Sequence, residues 1–215
     1  MSAMKHSKKI LLILFIFLPS LFFAQDDNLL YAIKTNNIQS MNSIMNSFFE
    51  INKTNEIGNT FLMFAVENGT TNTIELLLSK GADVNILNKN GESTVMFAMR
   101  RGDIDILKLL LNKGAKVNYL DYYGLSPLIH AVTSGNEEFV ELLLKNGANV
   151  NLCDKDNLSP LSHACIQANP KMVKLLLKYN ANPSILDKNG MDSLYYAERS
   201  WNDSVLKMIQ KAKNY

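Results

Sequence analysis

A chain of 215 residues, 47% of them hydrophobic and 20% charged, has the size and apolar content to close one sizeable core, which excludes a disordered polymer. Its formal charge of +2 excludes the strongly basic face by which nucleic-acid binders are recognised.

Residues 1–24 read MSAMKHSKKILLILFIFLPSLFFA. Lys5, Lys8 and Lys9 precede an unbroken apolar run from Ile10 to Leu18, followed by Pro19, Ser20 and the small Ala24. A charged start, an apolar middle and a small-residue end make up a secretory signal peptide, so export with cleavage after Ala24 is expected. The run is shorter than the ~20 apolar residues of a spanning helix, and Pro19 interrupts it. An uncleaved anchor remains the rival, and Phe22 is large for the position two before the cut. Loss of the segment removes three lysines and takes the charge from +2 to −1, which leaves a near-neutral surface. No cysteine stands at its end, where a lipoprotein would carry its lipid.

From Gln25 onward the chain repeats itself. A shift of 33 residues aligns Gly58, Gly91, Gly124, Asn157 and Gly190 without an insertion. Leu62, Val95, Leu128, Leu161 and Leu194 fall on the same shift, then Ala65, Ala98, Ala131, Ala164 and Ala197. Triple leucines at 76–78, 109–111, 142–144 and 175–177 follow in step. So strict a period means units that bury their faces on one another. The units run 25–57, 58–90, 91–123, 124–156, 157–189 and 190–215. The first and last are caps with polar outer residues: Lys34, Asn36, Asn37, Gln39, Asn42 and Asn46 at one end, Asn202, Asp203, Lys207, Gln210 and Lys211 at the other.

Each unit is expected to fold as two short helices. Ser126 caps the first with its hydroxyl and Pro127 supplies a pre-set φ at its first position; Ser159 and Pro160 repeat the device. Gly135 ends that helix. The second helix, EEFVELLLKNG, turns Phe139, Val140, Leu142, Leu143 and Leu144 toward its neighbours, and Asn169 with Pro170 starts its equivalent one unit later. Between units lies a finger such as ANVNLCDKDNLS, whose Asn, Asp and small tip residues read as a turn-bearing hairpin.

A 33-residue period carrying S/T-P-L-x-x-A, then Gly, then E-L-L-L, then G-A-x-V-N resembles the ankyrin repeat. GLSPLIHAVTSGNEEFVELLLKNGANVN and GNTFLMFAVENGTTNTIELLLSKGADVN match best, and the resemblance is strong over residues 58–189. It implies an all-α solenoid of stacked helix-turn-helix units joined by β-hairpin-like fingers. It also implies a non-enzymatic protein-binding module without cofactor, monomeric before its partner arrives. Family members carry histidine just after the Leu of T-P-L-H. Here Met63, Met96, Ile129, Ser162 and Tyr195 stand there, so the hydrogen bonds of that histidine must be made otherwise or omitted.

His130 and His163 are equivalent in adjacent units, and Cys165 follows two residues after His163. Positions i and i+2 of a helix point apart, and no carboxylate shares the histidines' face at ligand spacing, so no metal or catalytic site is expected. An enzyme using His130, His163 and Cys165 is the alternative from another class. Cys153, in a finger, and Cys165, in a first helix, read as two free thiols, Cys165 buried. Asp121, Asp154 and Asp187 recur at one finger position and are expected to hydrogen-bond backbone, as in family members.

The resemblance places a partner on the concave side, on the fingers and the exposed edge of the first helices. On the fingers this selects Lys89, Glu92, Tyr119, Tyr122, Tyr123, Leu125, Lys155, Leu158 and Lys188. The helix edge adds Arg100, Arg101, Thr133, Ser134 and Gln167. The stretch YLDYYGL at 119–125 is singular, because other fingers carry Asn, Lys and Asp where it carries tyrosine, a residue favoured at binding hot spots. The basic residues beside it suit a partner with acidic and aromatic features. The reading is an exported, periplasmic ankyrin-repeat protein that binds another protein, with no nucleic acid and no stable membrane insertion after cleavage. Its alternatives are an immunity or inhibitor protein, a companion of an exported enzyme of the catalase-associated type, and a secreted effector of host proteins.

Overall fold

The computed structural model describes residues 26–45 and 49–214; the expected signal segment and Asn46 lie outside them. Two compact units divide the chain, Met1–Lys53 with Thr60–Ala82, and Thr54–Asn59 with Asp83–Tyr215.

In the first unit residues 26–34 form α1, followed by α2 (Ile38–Ile44), α3 (Phe61–Asn68) and α4 (Thr71–Ser79). Side chains at the helix starts account for the boundaries. Asn37 accepts from the Ser40 amide, Thr60 from Met63, and Thr70 and Thr73 cap each other reciprocally. Leu29, Ile33, Met41, Leu62, Met63, Ile74 and Leu77 are buried together as its core. The Thr70 hydroxyl also donates to Asn36 Oδ1 at 2.7 Å.

The second unit carries four helix pairs: α5 (Thr94–Arg101) with α6 (Ile104–Asn112), α7 (Pro127–Thr133) with α8 (Glu137–Lys145), α9 (Pro160–Ile166) with α10 (Pro170–Lys178), and α11 (Ser193–Arg199) with α12 (Asp203–Lys213). The first helices α5, α7, α9 and α11 pack in sequence as one layer, and α6, α8, α10 and α12 as a second. Ala98, Ala131, Ala164 and Ala197 lie at the centre of the first layer and are fully buried, since a small side chain lets neighbouring helices approach closely. Ser93, Ser126, Ser159 and Asp192 cap the first helices, and Asp103, Asn136, Asn169 and Asn202 the second. Each such cap contributes about 1 kcal/mol.

Phe139, Val140, Leu143 and Leu144 form the buried stripe of α8, and each fully buried side chain of this kind contributes about 1.5–3 kcal/mol. Leu142, expected among them, is only half-buried. The i, i+1, i+4, i+5 stripe leaves it at the margin. The missing histidine of the T-P-L-H position is replaced in one repeat and dispensed with in others. Ser162 Oγ lies 3.0 Å from Ser159 Oγ and 3.2 Å from Ser193 Oγ, a buried hydroxyl chain between consecutive repeats, whereas Met96 and Ile129 are simply buried.

All elements among the described residues are helices, with no strand element among them. The fingers are hairpin-like only in their two backbone hydrogen bonds, too short to extend into strands.

Candidate functional site

Each finger of the second unit is built on one Asn or Asp. The backbone amide of Asn55, Asn88, Asp121, Asp154 or Asp187 donates to the carbonyl four residues on, and its carbonyl accepts from the amide three residues on, at 2.8–3.1 Å. Its side-chain Oδ1 then accepts two amides within the same turn, from Tyr123 and Leu125 for Asp121, and from Asp156 and Leu158 for Asp154. This geometry makes the residue three positions on left-handed: Gly58, Gly91, Gly124 and Gly190 have φ of 83°, 72°, 80° and 76°. Asn157 takes the conformation at 60°, which asparagine tolerates, and its Nδ2 donates to the Leu186 carbonyl of the next finger. Asparagines between the helix pairs tie neighbouring repeats together: Asn85 binds the Gly114 carbonyl and the Lys116 amide, and Asn118 the Gly147 carbonyl and the Asn149 amide.

The expected backbone role of Asp121, Asp154 and Asp187 holds, and the second carboxylate oxygen has a further partner. Asp121 Oδ2 lies 2.7 Å from His130 Nε2, and Asp154 Oδ2 lies 2.8 Å from His163 Nε2. Tyr196 donates its hydroxyl to Asp187 Oδ2. Where the ring nine residues on is Phe97, the finger residue is the neutral Asn88, which donates to Glu92 Oε2 at 2.7 Å and Asn59 Oδ1 at 2.9 Å. Thus a carboxylate does meet both His130 and His163, contrary to expectation, because it arrives from the finger and not from the helix. The Tyr196 hydroxyl, with the Met191 amide, holds the Asp187 carboxyl below its usual value. Burial, reinforced by Asp187, pushes the Tyr196 phenol up to about 12.

The Asp121–His130 pair borders a groove of about 280 Å³ lined by Glu92, Met96, Met99, Arg100, Asp121, His130, Ser134 and Phe139. Arg100 forms an ion pair with Glu92 at 2.7 Å and stacks its guanidinium 4.3 Å from the Phe97 ring centre. Of the residues selected from sequence, the groove gathers Glu92, Arg100 and Ser134. Its apolar floor, Met96, Met99 and Phe139, and its polar pair, Asp121 and His130, were not among them. The nine-residue offset between finger acid and ring, repeated three times, is the signal that could have identified the pair.

Next in the chain to Asp121 of the groove are Tyr122 and Tyr123, 67% and 71% exposed, with rings edge-on at 5.5 Å between centres. The Tyr122 amide donates to the Asn90 carbonyl at 2.6 Å, so neighbouring fingers grip its backbone while the ring stays in solvent. The Lys155 ammonium sits 4.8 Å over the Tyr122 ring and also binds the Tyr122 carbonyl. Tyr119, Leu125 and Leu158 are half-buried, so the exposed aromatic cluster is narrower than the sequence suggested. Acids temper the basic edge. Lys188 pairs with Asp156 at 3.4 Å, and Arg101 lies 3.8 Å from Asp103. Lys89 is exposed, and its amide donates to the Ile57 carbonyl. Gln167 bonds the Thr133 carbonyl at 2.7 Å, a bridge between successive first helices away from the fingers.

Both cysteines are free. Burial, with Asp192, pushes the Cys165 thiol up to about 12, which opposes the thiolate a nucleophile or metal ligand requires. Burial and Asp154 raise Cys153 as well. Among the described residues no group of three or more His, Cys, Asp or Glu is placed to hold a metal ion, and no helix is long and apolar enough to cross a membrane.

The family model for ankyrin repeats (3 copies) matches residues 29–121, 62–154 and 128–215. The chain belongs to the ankyrin-repeat family. Ankyrin repeats are protein–protein interaction modules, and the family is typically non-enzymatic. No curated protein matches the sequence. Within this ankyrin-repeat chain, what varies among finger tips is therefore the natural place to seek specificity, since fold and function separate at the level of the site.

Proposed function

We propose that this ankyrin-repeat chain is an exported, non-enzymatic protein that binds another protein on the finger and first-helix surface of its second unit, centred on Tyr122 and Tyr123. The observation that carries this reading is the pair of solvent-facing rings on a backbone stapled by Asp121 and Asn90. Large rigid rings held ready lose little entropy on docking. The groove that Asp121 of the same finger lines supplies apolar Met96, Met99 and Phe139 with the His130–Asp121 pair, so the partner inserts an apolar side chain flanked by hydrogen-bonding groups. Arg100, Arg101 and Lys155 lie at the rim, where charges steer encounter more than they hold the complex. Export rests on the lysine cluster, apolar run and Ala24 ahead of the first repeat.

The test is comparative capture from the extracellular or periplasmic fraction of the native cell. The full chain should retain one partner in stoichiometric amount that a Tyr122→Ala, Tyr123→Ala chain does not. Equal retention by both refutes the site. Mass spectrometry of the natively produced chain should find it beginning near Gln25, and a cytoplasmic chain retaining Met1 refutes export.

A further inference from the structure

The six turns between paired helices fall at positions 36, 69, 102, 135, 168 and 201. Gly69 stays at −92°, whereas Gly102 and Gly135 take left-handed φ of 77° and 71° there, as do Asn36 at 54° and Ala168 at 52°. Trp201 takes the same conformation at φ 53°. A bulky aromatic in this region is strained, and strain of this kind persists where function demands it. The indole gains nothing in packing, because Trp201 is 97% exposed. It is also the only tryptophan in the chain.

The surroundings carry a second signal. Asn202 Nδ2 donates to the Ala168 carbonyl at 3.1 Å, which sets the Trp201 turn beside the preceding one, where Ile166 is 48% exposed. The same end of the fold starts α10 and α12. Lys171, Lys174 and Lys178 are spaced i, i+3, i+7 on α10, away from its buried Met172, Val173 and Leu176. Lys207 and Lys211 lie i, i+4 on α12, away from buried Val205 and Ile209, and α10 packs directly against α12. Lys174, Lys207 and Lys211 are exposed with no ion pair among the described residues, and Lys171 meets Glu137 only at 3.7 Å. Residues 170–214 hold eight Lys and Arg against four Asp and Glu, whereas residues 25–169 hold eleven against sixteen. The last repeats thus carry a net positive charge, with Glu198 and Asp203 the acids nearest the indole in the chain and Lys178 within 3.9 Å of Glu141.

We propose that this corner, Trp201 with the lysine stripes of α10 and α12, is a membrane-surface contact that takes anionic lipid headgroups. Lysine is depleted at protein–protein interfaces, while tryptophan is enriched at the membrane–water boundary, where its ring sits among headgroups. A hot-spot tryptophan for a protein partner stands in a desolvated centre with a sealing rim. Trp201 stands on a turn tip beside mobile, hydrated ammonium groups, which suit a fluid charged surface. One apolar anchor alone binds a bilayer only marginally, and an added polybasic patch makes the binding stable. The corner supplies both without a spanning segment, so it rests on the surface and leaves the tyrosine finger for a protein partner.

The emission of Trp201 tests this in the full chain, because no other residue contributes tryptophan fluorescence. Vesicles of phosphatidylcholine with phosphatidylglycerol should shift the emission to the blue, and bromine-labelled acyl chains should quench it. Pure phosphatidylcholine vesicles should do neither. A Lys174→Glu, Lys207→Glu, Lys211→Glu chain, altered only at exposed positions, should need at least about tenfold more anionic lipid for the same shift. Trp201→Gly should melt at an unchanged or higher temperature, since glycine relieves the turn. No shift with either vesicle overturns the proposal. Equal shifts with both, or a concentration-dependent shift without lipid that marks a second copy as the occupant, also overturn it. A marked fall in melting temperature for Trp201→Gly would make the indole a structural element and overturn it equally.

Discussion

Asp121 and Asp154 accept equivalent pairs of backbone amides and face equivalent histidines, yet the tip is Tyr122–Tyr123 in one finger and Lys155–Asp156 in the other. The scaffold is therefore indifferent to the tip. Four positions of each finger answer to folding: the Asx residue, the left-handed residue, and the two residues whose amides the side chain gathers through their backbone. The tip side chains answer to something else. On the proposed function, a pair of exposed tyrosines beside a pair of exposed charges on the same backbone is a difference in recognition more than in stability.

The largest effect that would sharpen this contrast comes from the scaffold itself. Asp121→Ala leaves two amides and His130 without their acceptor and should lower unfolding stability by about 2–4 kcal/mol, while Tyr123→Ala should stay within about 0.5 kcal/mol of the parent. Chemical denaturation of both chains decides it, and equal losses would show that the tip is part of the fold. Next in size is the left-handed residue. A Cβ on Gly124 would lie 3.0 Å from the Lys155 amide nitrogen at φ 80°, so Gly124→Ala should lose about 1–2 kcal/mol. The equivalent Asn157→Gly changes no handedness and gives up one side-chain bond to Leu186, so its melting temperature should move less.

The smallest effect concerns acid. Asp187 has a lowered carboxyl in the folded chain, chiefly through the Tyr196 hydroxyl, so its contribution is present above the ordinary carboxylate value of 3.8 and is lost as pH falls through the lowered one. Tyr196→Phe removes that hydroxyl. Its stability should begin to fall at higher pH than the parent's, and coincident acid limbs would show that the phenol does not hold the carboxylate.

Much of the fold was legible because its demands fall on single residues at a fixed period. Gly91 and Gly124 announce a left-handed turn, Ser126 with Pro127 a helix start, and Ala98, Ala131 and Ala164 the close approach of stacked helices. The groove was not legible in the same way, since it depends on side chains that meet from different elements. His130 was read along its own helix, where no acid lies, although the acid comes from a finger nine residues earlier. The half-burial of Tyr119, Leu125 and Leu158 is not legible, because alternation along a finger does not reveal how far neighbouring fingers cover its residues. Trp201 shares its register with left-handed Gly102, Gly135 and Ala168 but also with Gly69 at φ −92°, so the period alone does not fix its handedness.

The central claim is that Tyr122 and Tyr123 are held out for a partner and not for the fold. It is tested most directly by titrating the captured partner against the parent chain and against a Tyr122→Ala, Tyr123→Ala chain, with melting curves of both. The account predicts at least about 2 kcal/mol weaker binding, or some thirtyfold in Kd, at an unchanged melting temperature. Unchanged affinity, or an affinity lost together with the fold, would contradict it.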